Sequence, residues 1–353
     1  MTRGAALLLR GPLALLLTGL GASSAWAQAE TRTPDDAAAV VILPSPGVRD
    51  NAGTAADEPP SDAPISEVRQ LDRDCGDEDA DACRRLAYIY HEGDGVERDD
   101  ARAVTLFVRA CDLGQASGCT MAGYLFGEGK GAAQSHERAA AYYTRACDQG
   151  EPMGCNNLGL SYINGDGVPA DPDRAIALFE KACDGTATEG CANLGASYSL
   201  GKGAARNQRR AVHAFKLACD AGDLHGCYNL GVMYRDAKGV SRDPKRAVGL
   251  FGRACDADHK EACGNLAFMT DDGRGTRRNR ARALELFDKA CTLGEAESCF
   301  TLGRAYQLGK GVPLDKDRAI ELLERSLLLD AKSESSGEAR KALEIARGQR
   351  KGR

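Results

Sequence analysis

Hydrophobic and polar positions repeat along most of this chain with a period of 36 residues. Cysteines mark the period, because they form seven C-x7-C pairs whose first members advance by 36 residues each time. We number each unit from its first cysteine, which is position 0. Apolar residues recur at positions 8, 11 and 15, the i, i+3, i+7 spacing of one helix face. Position 15 is Tyr or Phe except in the sixth unit, which has Thr270. Each unit therefore begins with a predicted helix, helix A.

A second helix is predicted in the other half of each unit. A G-x-G pair follows helix A in six of the seven units and ends it, because glycine adopts the left-handed backbone of a helix stop. Position 24 then holds Asp, Ser or Asn in every unit, which are residues that cap helix N-termini. Pro172 and Pro244 follow at the first helical site. Helix B begins there, has an Arg-Ala pair at positions 27 and 28, and continues into the next first cysteine.

Two antiparallel helices in each of seven 36-residue units predict an all-α protein, an α/α solenoid with a tetratricopeptide-like superhelix. Each hairpin of such an array buries its apolar face only against its neighbours, so the two ends need polar caps. Val68 and Leu71 lie in a half-unit before the first cysteine, and a last unit follows Ser326 without cysteines. We expect seven repeats with an N-terminal half-cap over 66–326, and a capping helix with a basic tail over 327–353.

The N-terminus has the pattern of a secretory signal peptide. Residues 1–27 open with Arg3, contain an apolar stretch, and end in a small-x-small cleavage pattern at Ala27. A retained anchor helix is the alternative, but the apolar stretch is short for a membrane span. Residues 28–65 are rich in Ala, Pro and Asp and predict a disordered linker. We expect cleavage near Ala27 and a periplasmic or secreted protein without a membrane span.

The cysteines of an exported chain indicate disulfides. Pairing within each C-x7-C would join one hairpin to the next across a tight turn, whereas pairing Cys83 with Cys111 and its equivalents would join the two ends of one hairpin. The chain ends favour the first scheme, because the second leaves Cys75 and Cys299 without partners. Zinc is the remaining alternative, but the spacings lack its C-x2-C pattern, and we expect no metal and no cofactor. The predicted disulfide residues are Cys75, Cys83, Cys111, Cys119, Cys147, Cys155, Cys183, Cys191, Cys219, Cys227, Cys255, Cys263, Cys291 and Cys299.

The unit C-D-x-G-x-x-x-G-C-x-N-L-G-x-x-Y-x-x-G-x-G-V, nearly verbatim from Cys147, resembles the Sel1-like repeat over 65–346. Within that family it resembles the cysteine-rich secreted branch, the Helicobacter cysteine-rich protein family. The resemblance implies an α/α solenoid with one disulfide per repeat. Members of the branch are named penicillin-binding or β-lactamase proteins, and other Sel1-like repeat proteins are mostly adaptors in signalling and quality-control assemblies. A shared fold does not establish either activity.

Motifs for catalysis are sparse. A serine β-lactamase needs S-x-x-K together with S-D-N and K-T-G elements. The chain has one S-x-x-K, from Ser199 to Lys202, and neither of the other two elements. Because Gly-Lys recurs at the same place in other units, we interpret Lys202 as a solvated loop residue.

A surface is the better candidate for a functional site. Positions 10, 13 and 17 of helix A lie opposite the apolar stripe and are expected to line a concave groove. Asparagines at position 10 could bind the backbone of an extended peptide through paired donors and acceptors, or could instead serve the fold. Aromatic residues at position 13 add apolar contact. The candidate groove residues are Arg85, Tyr88, Tyr124, Asn157, Asn193, Asn229 and Asn265.

The net charge of the chain limits the classes of partner that it is expected to bind. The formal net charge is −5, which argues against nucleic acid, since nucleic-acid binding requires a basic surface. Our first hypothesis is an exported, non-catalytic, monomeric scaffold that binds a protein, peptide or cell-wall peptide in its concave groove. The alternative is a β-lactam-binding protein with weak β-lactamase activity, which rests on family naming.

Overall fold

The computed structural model of the protein describes residues 65–331 and 334–351, and in this part of the chain it contains sixteen α-helices and no strand. The predicted signal peptide and the linker up to residue 64 lie outside the described residues. The helices are α1 (Ile65–Gly76), α2 (Ala80–Glu92), α3 (Asp100–Asp112), α4 (Ala116–Glu128), α5 (His136–Asp148), α6 (Pro152–Asn164), α7 (Pro172–Asp184), α8 (Thr188–Leu200), α9 (Gln208–Asp220), α10 (Leu224–Asp236), α11 (Pro244–Asp256), α12 (Lys260–Asp272), α13 (Arg280–Thr292), α14 (Ala296–Leu308), α15 (Lys316–Leu329) and α16 (Glu334–Lys351).

The helices form the predicted hairpins. The even-numbered helices α2 to α14 are the A helices, and the odd-numbered helices α3 to α15 are the B helices of the same seven units. The helix α1 takes the place of a preceding B helix, and α16 packs on α14 and α15 at the other end. The all-α solenoid of seven repeats is therefore confirmed.

Helix ends follow the predicted cap chemistry. The position-24 side chain accepts a hydrogen bond from the N–H three residues later in every unit, as Asp99 does from Arg102. This bond satisfies one of the free N–H groups of the first turn. The A helices end on a left-handed residue, which is glycine except at Ala237, where φ is 57°.

Glycine at position 12 lets the two helices of a hairpin approach each other closely. A Cβ on Gly159 would lie 2.6 Å from the ring of Phe179, and the same holds for Gly195 and Phe215. Phe179 and Phe215 are each 1% exposed. A methyl group at these positions would displace a fully buried ring, so the glycine sets the distance between the A and B helices.

One disulfide joins each B helix to the next A helix. All seven pairs follow the C-x7-C scheme, with Cα atoms 4.4 to 4.6 Å apart. The prediction of one disulfide per repeat is confirmed, and no free cysteine is present in residues 65–331 and 334–351. Thirteen of the cysteines are buried, and Cys183 alone is partly exposed.

Cations reinforce these junctions, a pattern that the sequence reasoning missed. The Arg145 guanidinium donates to the carbonyl oxygen of Cys111 at 3.2 Å, and Arg253 donates to that of Cys219 at 3.0 Å. Lys181 and Lys289 make the same contact with Cys147 and Cys255, both at 2.6 Å. A positive charge at the C-terminus of the preceding B helix is stabilising, because the last carbonyl groups carry partial negative charge. In the fourth unit this position is Leu217, which is 43% exposed.

The A helices occupy the inner side of the array. Among helices that are not consecutive, the pairs in closest contact are all pairs of A-type helices, namely α4 with α6, α6 with α8, α8 with α10, and α14 with α16. Contact between neighbouring repeats beyond the hairpins is therefore made chiefly by the A helices, as expected of the inner side of a solenoid. No helix of the described residues is long and apolar enough to cross a membrane.

Candidate binding surface on the A helices

The face of the A helices that contains the predicted groove positions 10, 13 and 17 also includes position 6, and in the middle repeats positions 10 and 13 are buried, as at Asn193 and Ala196. These positions are spaced by three or four residues, so they form one stripe along each A helix. Successive A helices from α4 to α10 contact one another. The stripes of these helices therefore lie side by side, and we call the area formed by these positions on the A helices the A-helix surface.

Three of the four predicted asparagines are buried in this surface. Asn157, Asn193 and Asn229 are 7%, 4% and 8% exposed. Asn193 donates from Nδ2 to Oδ1 of Asn156 at 2.8 Å, and Asn156 donates to Oδ1 of Asn157 at 3.3 Å. This chain of amides links α6 to α8, so Asn193 and Asn156 hold these two adjacent A helices together.

Asn265 is partly exposed and is held on both sides. Its Nδ2 donates to the carbonyl oxygen of Glu261 at 2.8 Å, and its Oδ1 accepts from Nη1 of Arg235. Arg235 in turn pairs with Asp236 at 2.6 Å. These contacts join α10 to α12 and fix the amide within the surface.

The N-terminal candidates lie nearer to solvent. The Arg85 guanidinium donates to Oε1 of Glu67 at 2.8 Å and is exposed. The ring of Tyr88 packs edge-on against Phe107, with the ring centroids 4.9 Å apart. The hydroxyl of Tyr124 accepts from Nζ of Lys130 at 2.9 Å, and this bond raises the pKa of Lys130. Tyr88 and Tyr124 are both half-buried.

Carboxylates flank these residues at both ends of the A helices, another feature that the sequence reasoning missed. One row lies at position 6 in the first helical turn, and the other lies at position 17, the last helical residue. Carboxylates are favourable near a helix N-terminus and unfavourable near its C-terminus. Within the position-17 row, Asp236 and Asp272 pair with Arg235 and Arg274, whereas Glu92 and Glu128 work against the stability of their own helices. The two acidic rows are Asp81, Glu189, Glu261 and Glu297 at position 6, and Glu92, Glu128, Asp236 and Asp272 at position 17.

Large apolar side chains reach solvent between and beside the acidic rows. Phe268, at position 13, is 36% exposed, and Leu200 and Leu308, at position 17, are 46% and 42% exposed. Together with Tyr88 and Tyr124, they give the A-helix surface apolar contacts bordered by negative charge. The signal for both features is present in the sequence, but only when residues are compared across units at one position.

A pair of histidines lies at the first turns of α10 and α12. Nε2 of His259 is 3.1 Å from Nδ1 of His225, and the ring of Tyr228 stacks on His259 at 4.9 Å. His259 also caps α12, because its Nδ1 accepts from the N–H of Ala262. Burial, followed by the adjacent His225, lowers the pKa of His259 to about 4.

The serine of the S-x-x-K motif contacts Gln208, and the lysine lies in a loop. The Ser199 hydroxyl lies 3.5 Å from Oε1 of Gln208, whose amide donates to the carbonyl oxygen of Ser199 at 3.1 Å. Lys202 lies in the following loop, where it is exposed. No group of three or more His, Cys, Asp or Glu residues suited to a metal ion occurs in residues 65–331 and 334–351.

Comparison with known proteins places these repeats in a family. The Sel1 repeat model matches seven consecutive segments that together span more than half of the chain: 80–115, 116–151, 152–186, 188–223, 224–259, 260–295 and 296–330. None of the curated proteins matches the chain.

Solved structures share the fold. The chain is similar to c5321, a protective antigen present in uropathogenic Escherichia coli strains displaying an SLR fold, with 25% identity and a TM-score of 0.66. That match covers 73% of this chain and 56% of the antigen, so the chain spans little more than half of the antigen's length. A Sel1 repeat protein from Oxalobacter formigenes is 23% identical with a TM-score of 0.62, over 69% of this chain and 96% of that one.

A third solved structure bears on the Helicobacter resemblance. Helicobacter pylori cysteine rich protein B is 28% identical with a TM-score of 0.31, and the match covers 37% of this chain and 93% of that one. Membership of the Helicobacter branch stays a prediction. The seven matched segments, each with the predicted hairpin and disulfide, show that this chain belongs to the Sel1 repeat family.

Proposed function

We propose that the protein is an exported interaction scaffold whose A-helix surface binds an extended, basic segment of a partner protein. The observation that carries the proposal is the pair of acidic rows bordering exposed aromatic and leucine side chains. The exposed position-17 carboxylates Glu92 and Glu128 weaken their own helices, so helix stability does not explain them. Opposite charges and apolar contacts on a partner segment would give them a favourable environment.

Several features of the chain support export as part of this proposal. Seven disulfides are typical of chains that fold in an oxidising compartment, because cytosolic thiols are kept reduced. Residues 1–27 have the pattern of a signal peptide, and a chain cleaved near Ala27 would reach the periplasm or the medium.

The acidic rows also bear on the other candidate ligands. β-Lactams and cell-wall peptides carry carboxylate groups, which the acidic rows would repel. The buried asparagines present little surface to a ligand, and their bonds across adjacent A helices support a role in stacking the repeats. A basic protein segment is the partner that the accessible groups favour.

The test is binding of a labelled twelve-residue peptide that alternates Arg with Tyr and Leu, measured by fluorescence anisotropy on the oxidised protein from residue 28 onward. Glu92→Gln combined with Glu128→Gln should weaken binding about fivefold at low salt, and raising the salt should shrink that difference. The proposal fails if a peptide with Glu in place of Arg binds equally well.

A matched control separates local recognition from net charge. Asp148 and Asp256 are exposed carboxylates at the last residues of the B helices α5 and α11, so they share the helix-end setting of Glu92 and Glu128. Asp148→Asn combined with Asp256→Asn removes the same charge and should leave peptide binding unchanged. Equal loss in both double variants would show that only the overall charge matters.

A further inference from the structure

A cleft opens in the sixth repeat, away from the A-helix surface. Its volume is about 560 Å³, and it lies between α11, α12, the loop that follows α12, and α13. This volume is within the range of small-molecule sites. The residues that line it are Val248, Leu266, Thr270, Thr276, Arg277, Arg278, Asn279, Arg282 and Leu286.

The cleft exists because the sixth repeat lacks the ring that its neighbours have. Position 15 is Tyr or Phe in the other six repeats and Thr270 in this one. Position 21 is Val or Ala in the other six and Thr276 here. The base of the cleft is therefore open to solvent. Leu266 there is partly exposed, whereas its equivalents Leu230 and Leu302 are 5% and 3% exposed.

The neighbouring repeats show what this space accepts. In repeats three, four and five, the position-27 arginine lies over the ring of the position-15 tyrosine and donates to its hydroxyl at 3.3, 2.9 and 3.1 Å. In the sixth repeat the equivalent Arg282 has no such ring beneath it and donates to Glu285 at 2.8 Å, as Arg318 of the seventh repeat does to Glu321. The space is therefore shaped for a phenol ring beneath an arginine.

The rim has two adjacent arginines at positions 22 and 23, where the other repeats have at most one. Arg277 and Arg278 are adjacent and exposed, and neither makes a side-chain hydrogen bond or ion pair with any residue of 65–331 or 334–351. The neighbouring arginines are paired, Arg274 of this loop with Asp272 at 3.2 Å and Arg280 of α13 with Asp271 at 2.5 Å. Two unpaired guanidinium groups beside a ring-shaped space favour an anionic group attached to the ring.

We propose that this cleft is a binding site for a small aromatic acid, with the ring on Leu266 and Leu286, any ring hydroxyl near Arg282, and the acidic group between Arg277 and Arg278. The ligand class is a phenyl or phenol ring that carries a carboxylate on a short chain. Two threonine hydroxyls, from Thr270 and Thr276, are available as hydrogen-bond partners within the cleft.

The probe is 3-(4-hydroxyphenyl)propionate, which has the ring and hydroxyl of the missing tyrosine together with a carboxylate. We expect one-to-one binding to the oxidised protein by isothermal titration calorimetry. The neutral amide of the same acid should bind at least about fivefold more weakly, because it lacks the charge that the two arginines meet. Propionate, which has no ring, should not bind.

Substitutions test the location. Thr270→Tyr restores the residue type of the neighbouring repeats, so it should keep or raise the melting temperature while weakening probe binding at least about tenfold. Arg277→Gln combined with Arg278→Gln should remove the preference for the acid over the amide. Arg242→Gln is the matched control, since Arg242 is the equivalent of Arg278 in the fifth repeat and should not affect binding.

Specific results would overturn the proposal. It fails if the probe gives no binding at about 10 mM, a level at which even a weak fragment of this size is detected. It also fails if Thr270→Tyr, with its fold intact by circular dichroism, binds as the unmodified protein does. A peptide with Tyr between two Asp residues that binds at least tenfold more tightly than the free acid would reassign the cleft to a protein segment.

Discussion

At the scale of single residues, the residue at position 3 determines whether the backbone of each turn between repeats is strained. The turn after each B helix contains a residue with positive φ at position 3, which is glycine at 114, 150, 222 and 294. Three turns have other residues there, and Thr186 is among them with φ of 74°. A β-branched residue in the left-handed region is strained, because its side chain crowds the backbone.

Thr186→Gly is therefore expected to stabilise the protein by about 0.5–1 kcal/mol, since the relief of strain exceeds the extra flexibility of glycine in the unfolded chain. The reverse change, Gly222→Thr, should destabilise by a similar amount. A Cβ at Gly222 would have no atom within 4 Å, so the loss of stability in Gly222→Thr would come from backbone strain alone and not from a steric clash. Urea denaturation of the oxidised proteins measures both, and equal stabilities would contradict the assignment of strain.

The buried histidine gives the protein a defined dependence on pH. The pKa of His259 is lowered to about 4 by burial and by His225 and Lys260, against an opposing effect of Glu261. In the unfolded chain this histidine binds a proton near pH 6.5, whereas in the folded protein it stays neutral to lower pH. The contribution of the neutral histidine to the free energy of unfolding is therefore complete above pH 6.5 and is lost as the pH falls towards 4.

His259→Asn keeps a side-chain acceptor for the cap and removes the titrating group. The free energy of unfolding of the unmodified protein should fall relative to this variant by roughly 2 kcal/mol between pH 7 and pH 4. Comparison with the variant cancels the carboxylates that titrate in the same range. Parallel curves of stability against pH would show that His259 does not contribute.

At the scale of helices, the junction between α7 and α8 is the least reinforced of the seven. Cys183 is the one cysteine that is partly exposed, and Ala187 gives α8 no side-chain cap. Leu217 stands where other repeats place a cation against the preceding B helix. Because thiolate attack needs access to sulfur, the Cys183–Cys191 disulfide is expected to be reduced first.

Leu217→Arg should supply the missing contact with the carbonyl oxygen of Cys183, raise stability by about 0.5–1 kcal/mol, and slow reduction of that disulfide. Arg253→Leu is the matched reverse change and should lower stability by a comparable amount. Mass mapping during stepwise reduction, combined with thermal melts, tests both. Reduction in another order would show that exposure of Cys183 does not control the reaction.

At the scale of the whole molecule, the sequence predicted the features that local chemistry controls. The starts of the B helices follow from the position-24 caps. The disulfide pairing follows from Cys75 and Cys299, which have partners only if each C-x7-C pair forms its own disulfide. The burial of Asn193 could not be predicted, because it depends on how closely α6 and α8 approach across the curve. The cleft at Thr270 is visible as a departure from the repeat, but its volume depends on Val248 of the preceding repeat.

Because the repeats are arranged in a line, we expect the effect of removing one disulfide on unfolding to depend on where in the array that disulfide lies. In an array where each repeat contacts only its neighbours, cooperativity passes through every junction in turn. Each disulfide closes a loop of about nine residues, which corresponds to about 2.5 kcal/mol in the chain-entropy model. Removing the central pair, by Cys219→Ala with Cys227→Ala, should weaken the link between two halves and make unfolding biphasic.

Removing the terminal pair, by Cys75→Ala with Cys83→Ala, is the matched control, because it deletes the same loop at the end of the array. Unfolding of the rest should then remain a single transition, with only α1 and α2 losing protection. Hydrogen exchange read by mass spectrometry distinguishes the two cases: the central variant should lose protection on both sides of α9 and α10. Identical exchange patterns would mean that stability is shared across the whole array and does not pass from junction to junction.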